Sequence, residues 1–178
     1  MRLYLDMDGV LMDYDQHILK WLTPPWTGRT YHHLPHDQWT AEETANDLRY
    51  KDAMADPEFW STMPAMADAH ALWSWCRPYQ PHILTATPTG AAYAERCAND
   101  KLRRIHALFD PVFPVQNFWA VLRSEKRHHA GSHENGDRAI LVDDMAPNCQ
   151  EWHEAGGIAI LHTDAISTIR KLEELLHV

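Results

Sequence analysis

The chain has 178 residues, enough for one domain with a substantial core. Its 16 Lys and Arg against 25 Asp and Glu leave a formal charge of −9. That argues against an extended nucleic-acid face, since duplex affinity rests mainly on Lys and Arg meeting phosphates, but it leaves room for a small phosphorylated ligand. Cys76, Cys97 and Cys149 form no C-x-x-C pair, and free thiols of a reducing compartment are the expectation. The opening apolar run is short and ends in acids, and no later stretch approaches about 20 apolar residues. Neither a leader nor a membrane span is predicted, and the expectation is a soluble, cytoplasmic protein.

In chain order, residues 2–6 read as a buried parallel strand that stops at Asp6, with Asp8 two residues on and Gly9 to turn the backbone away. Two carboxylates at one strand end repel each other unless a cation neutralises them. Ligands of open α/β sheets bind in the crevice beyond such ends. From 14 to 64 the chain is rich in Trp, His, Pro and Asp, with helical patterns near 15–22 and 41–55. Thr40 and Glu43 form a capping box for the second. Nothing there resembles a central strand, so 14–64 is predicted to be a small helical insertion, and 1–13 with 65–178 the main unit.

Strand and helix alternate after Pro64, which predicts a parallel, doubly wound sheet. The spacing places helices over 68–76, 89–108, near 125–129, over 148–155 and 165–176. Strands are predicted at 81–84, 111–115, 139–142 and 158–161, with a polar turn over 131–137. In the helix of 89–108, Ala92, Cys97, Leu102 and Ile105 are the buried candidates.

Three predicted strand ends then share one edge: Asp6 and Asp8, Thr85 and Thr87, and Asp143 with Asp144, with Lys126 between the last two. Each residue type has work there. Carboxylates with substrate phosphate complete the oxygen shell of Mg²⁺. One carboxylate can attack phosphorus, and a second can protonate the leaving oxygen. Hydroxyls and a lysine can hold the phosphoryl oxygens as charge develops.

These stretches resemble a known family. D-M-D-G-V-L at 6–11, I-L-T at 83–85, Lys126 and I-L-V-D-D at 140–144 are similar to the four motifs of the haloacid dehalogenase superfamily of phosphatases, in the same order. D-M-D-G-V-L-x-D, Phe59-Trp60, and N-C-x-E-W followed by A-G-G-I over 148–158 most resemble its 5'(3')-deoxyribonucleotidases. The resemblance implies a Rossmann-like three-layer α/β/α core with a parallel sheet and a small helical cap inserted after the first strand. It further implies an Mg²⁺-dependent phosphomonoester hydrolase with a nucleoside monophosphate as substrate. Asp6 would be nucleophile and metal ligand. Asp8 would be general acid and base, its backbone carbonyl also on the metal. Asp144 would ligate directly, with Asp143 orienting or ligating through water. Thr85 and Lys126 would bind the phosphoryl group, Lys126 also restraining Asp6. T-A-T-P at 85–88 stands where T-S-P is usual, so Thr87 could share Thr85's role. Sugar phosphates, nucleic-acid 3'-phosphates and a non-catalytic Mg²⁺- and phosphate-binding protein are the alternatives, and a homodimer is left open.

Some residues have plainer readings. His32-His33-x-x-His36 has zinc-like spacing, but Pro35 interrupts a helix and no fourth ligand is in view. Trp21, Trp26, Tyr31 and Trp39 are expected to form the core of the helical segment, whereas Phe59 and Trp60 divide between core and substrate pocket. Asp13 is expected to cap the helix after it rather than meet substrate.

Overall fold

Five short runs become one parallel sheet, the three central ones alternating their side chains between two covered faces. The computed structural model describes residues 1–21, 40–131 and 138–177. Strands β1 (Arg2–Leu5), β2 (His82–Ala86), β3 (Phe118–Val121), β4 (Ala139–Asp143) and β5 (Ile158–Leu161) lie in the order β3-β2-β1-β4-β5, every pair parallel. In β1, Leu3 and Leu5 turn to one side and Tyr4 to the other. The first side packs on α4 (Ala69–Cys76), α5 (Ala91–Leu108) and α7 (Ala165–Leu176) through Leu72, Cys97, Ile105 and Leu172. On the second, Tyr4, Leu84 and Leu141 meet Trp152 of α6 (Ala146–Glu154) and Ala130, which closes the 3₁₀ helix Arg123–His129. This is the expected three-layer α/β/α arrangement.

Connections leave β1 towards β2 and β3 on one side, then return to β4 and β5 on the other. The change of direction falls between β1 and β4, where open α/β sheets form their ligand crevice. The chain leaves the crevice through hydrogen bonds that clamp its exit to its return: Asp13 N to Pro64 O, 2.9 Å, and Met66 N to Leu11 O, 3.0 Å. Between these points the described elements are all helices: α1 (Tyr14–Ile18), α2 (Ala41–Ala55) and α3 (Glu58–Ser61). Asp13 caps α1 by accepting from Gln16 N at 3.0 Å, and Thr40 with Glu43 forms the expected capping box of α2. Two arginines of α5 tie this segment down: Arg96 donates to Met54 O and Ala55 O, and Arg104 to Met63 O twice.

Three expectations are corrected. Residues 111–115 form no strand. Pro111 and Pro114 lack the N–H a ladder needs, and Asp110 instead holds a turn, accepting from Val112 N on Oδ1 and from Phe113 N on its carbonyl. The strand falls on Phe118–Val121, where four residues without proline pair with Ile83–Ala86. The helix near 125–129 is 3₁₀ and begins at Arg123. Strand β2 runs on to Ala86, so Thr85 lies inside it rather than beyond its end. The His32, His33 and His36 cluster, Trp26, Tyr31, Trp39, most of the turn at 131–137 and the side chain of Ala92 lie outside the described residues. All three cysteines are buried free thiols, and burial pushes Cys76 and Cys149 up to about 12 and Cys97 to about 11. No helix among the described residues is long and apolar enough to cross a membrane.

The α2 cap is exposed and local, so its cost is predictable. Thr40→Ala lowers stability by about 1 kcal/mol, the usual worth of such a cap, read as a lower urea midpoint with an unchanged slope.

Candidate functional site

The carboxylates converge because β1 and β4 are neighbours that end together. Leu5 pairs with Val142, and the Asp6 amide continues the ladder by donating to Val142 O at 2.8 Å. Asp6 and Asp143 therefore stand side by side at the sheet edge. Lys126 reaches between them from the 3₁₀ helix, its Nζ 2.9 Å from Asp6 Oδ1 and 2.7 Å from Asp143 Oδ2. Asp6 Oδ1 also accepts from Met7 N at 2.7 Å. Burial pushes the Asp6 carboxyl up. Lys126 opposes this, Asp143, Asp144 and Asp8 reinforce it, and the net position is about 8. For Lys126 burial alone would lower the ammonium, but Asp6 and Asp143 outweigh it and hold it above its ordinary value.

Asp143 is saturated. Its Oδ1 accepts from Met145 N and Asn148 Nδ2, its Oδ2 from Lys126 and Asn148 Nδ2, and it is wholly buried. Asp144 is only half-buried and stands over Gly9. Gly9 has φ +80°, and a Cβ there would run into the Asp144 carboxylate. Here glycine is required twice over, by backbone and by space. One oxygen each from Asp6, Asp143 and Asp144 lies within 4.8 Å of the other two, a spacing one hard cation can bridge.

Asp8 completes the group. Its Oδ2 accepts from Lys101 Nζ at 2.7 Å, while its Oδ1 is buried with no hydrogen-bond partner among the described residues. Four acids thus face two buried lysines. Fully ionised, they carry two negative charges in excess, the charge of one divalent cation. The oxygen-only donor set of Asp6, Asp143 and Asp144, with Gly9 leaving room for the Asp144 carboxylate, fits such an ion.

Above the acids lies a cavity of about 240 Å³, lined at its polar pole by Asp6, Asp8, Thr87, Arg123, Lys126 and Asn148. Tyr14, Tyr50 and Trp60 of the helical segment form its other wall. Of the sequence-predicted residues, Asp6, Asp8, Asp143, Asp144 and Lys126 meet at the cluster. The two threonines separate: Thr87 lines the cavity and donates to Val121 O at 3.3 Å, whereas Thr85 lies beneath it, wholly buried, accepting from Lys101 at 2.9 Å. Phe59 and Trp60 separate too. Phe59 is the hub of an aromatic cluster with Tyr14, His17, Trp21, Tyr50 and Trp60 and does not reach the cavity. Trp60 does, stacked on Tyr14 at 6.3 Å.

Sequence reasoning missed Lys101, Arg123 and Asn148. Lys101 carried a legible signal, since it sits between Cys97 and Ile105 at i, i+4, i+8 on the buried stripe of α5, where an unpaired charge is not tolerated. Arg123 carried none, and Asn148 stood out only as the first residue of the N-C-x-E-W stretch, with no role attached. Their role depends on α6 bringing Asn148 to Asp143 and to Arg123 Nη1, the latter at 2.9 Å.

No protein-family model and no curated protein matches the chain. Among solved structures, a HAD-superfamily hydrolase from Ehrlichia chaffeensis superposes with a TM-score of 0.50 at 10% identity, covering 98% of this chain and 97% of that one. Hydrolases from Pseudomonas syringae (TM-score 0.47, 15% identity, 98% of each chain) and Streptococcus pneumoniae TIGR4 (0.44, 11%, 99% and 98%) are similar more distantly. At such identities the likeness to the Ehrlichia protein is one of fold.

Asp6 ionises higher in the folded chain than in the unfolded one, so between about pH 4 and pH 8 the folded state holds a proton the unfolded state has released. Metal-free stability therefore falls as pH rises through that window, the reverse of a salt-bridged aspartate. Because a bound cation takes that proton's place, the melting-temperature gain on adding Mg²⁺ is expected to be larger near pH 8 than near pH 5. In the same assay Gly9→Ala, whose Cβ would displace the Asp144 carboxylate, is expected to weaken any Mg²⁺-dependent gain by roughly tenfold or more in apparent affinity.

Proposed function

We propose that this chain is an Mg²⁺-dependent phosphomonoester hydrolase of the haloacid dehalogenase type, working through a phosphoryl group carried on Asp6. One observation carries the reading. A buried aspartate at a strand end has one oxygen fixed by a lysine and a backbone amide, a second carboxylate two residues away, and a charge deficit that a dication would fill.

Asp6 and Asp144 are the direct ligands in this reading, with Asp143, already fully hydrogen-bonded, holding Lys126 and orienting the group. Bound there, Mg²⁺ supplies positive charge to the phosphoryl oxygens and keeps Asp6 ionised. One carboxylate oxygen of Asp6 attacks phosphorus. As the new O–P bond forms, the bond to the leaving oxygen breaks, and Asp8 gives that oxygen its proton. Asp8 then takes a proton from water as the water attacks phosphorus, releasing inorganic phosphate and regenerating Asp6. Lys126 spends two of its three donors on Asp6 and Asp143, leaving the third for a phosphoryl oxygen in the cavity it lines.

The helical segment 14–64 acts as a cap that chooses the leaving group. Its contribution of Tyr14, Tyr50 and Trp60 opposite the acids supports a flat, ring-bearing group, and a nucleoside monophosphate, a deoxyribonucleotide first, is the substrate class proposed. Thr87 in the wall and Thr85 beneath it shape the phosphate end.

The protein is expected to release phenolate from 4-nitrophenyl phosphate only when Mg²⁺ is present. Asp6→Asn is expected to lose about four orders of magnitude or more, the scale seen when a catalytic nucleophile is removed. Mg²⁺-dependent turnover that survives this change would remove Asp6 from the mechanism.

A further inference from the structure

We infer that Lys101 is a positioning residue for Asp8: it pins one carboxylate oxygen so that the other, Oδ1, meets the leaving group. The inference rests on the phosphatase reading above and adds a residue and an atom to it. Lys101 is wholly buried on α5, where an ammonium is tolerated only if fully paired. Its three donors have three acceptors: Asp8 Oδ2 at 2.7 Å, Thr85 Oγ1 at 2.9 Å and Ala86 O at 3.0 Å. None is left for substrate, which separates it from Lys126. The ring of Trp60 covers the ammonium at 5.1 Å and closes its remaining side.

Asp8 is therefore held asymmetrically. Oδ2 is locked to a lysine that two further acceptors fix in place, while Oδ1 is buried and has no hydrogen-bond partner among the described residues. A carboxyl that must deliver a proton to one oxygen and later collect one from water has to keep a single orientation through both steps. Lys101 supplies that constraint. Burial alone would lower its ammonium, but Asp8 and its neighbours hold it above its ordinary value.

A residue acting through the proton donor has a signature that a structural lysine lacks. For a series of aryl phosphates, kcat/KM reports the step in which the phenolate leaves, and protonation matters more as the phenol becomes more basic. In Lys101→Met the loss is expected to grow along the series, from within several-fold for 4-nitrophenyl phosphate to about 100-fold for 4-methylphenyl phosphate, the range of general acid catalysis. In an Asp8→Asn background the same change is expected to add nothing. Melting shifts of the two substitutions in the metal-free protein are likewise expected not to add. A uniform loss across the series, or an undiminished loss in Asp8→Asn, would overturn the inference while leaving the phosphatase standing. A wild-type protein inert towards every ester removes the phosphatase reading and this inference with it. Should Lys101→Met not fold, Lys101→Arg keeps the charge but cannot reproduce three single-point contacts, and the same steepening or uniform loss decides.

Discussion

The arrangement depends on one contact, the Lys126 ammonium held between Asp6 and Asp143. Both acids are buried, and burying either alone would cost several kcal/mol. The lysine makes their proximity possible, but it compensates only one charge. With Lys101 balancing another, the four acids at the crevice still carry two negative charges in excess. A proton on Asp6, whose carboxyl burial pushes up to about 8, halves that excess, and a divalent cation would cancel it.

Around this contact the rest is arranged by strand order. β1 sits at the centre with β4 on one side and β2 on the other, so Asp6, the pair Asp143 and Asp144, and Thr87 come to one edge. Gly9 then lets the chain turn under Asp144 and leave for the helical segment, which returns at Pro64. The same short turn thus links the acids to the aromatic wall of Tyr14, Tyr50 and Trp60. Two arginines of α5 hold that segment to the core through its carbonyls, so α5 anchors the wall and, through Lys101, Asp8 as well.

Much of this was legible in the sequence, for physical reasons. Apolar runs that stop at acids, as at Asp6 and Asp143, are unusual because burying a carboxylate is costly, so they stand out without any structure. The Thr40 and Glu43 box and the helix of 165–176 were likewise local signals. What was not legible depended on tertiary partners. The apolar residues of 111–115 look strand-like until Asp110 is seen to hold a turn, and Phe118–Val121 becomes a strand only because β2 offers it a ladder. Phe59 and Trp60 are adjacent and chemically alike, yet one is a hub and the other a wall, a distinction set by which side of α3 meets the cavity. Asn148 and Arg123 have their place only because α6 packs beside the 3₁₀ helix.

Whether Asp6 takes up a phosphoryl group is open to a direct chemical trap. Borohydride reduces an aspartyl phosphate to homoserine but leaves a free carboxylate untouched. Protein quenched with borohydride during turnover of an aryl phosphate, then digested and read by peptide mass, is predicted to contain homoserine at position 6 and at no other aspartate. Continued turnover with position 6 unmodified, or homoserine at position 8 in its place, would contradict the account.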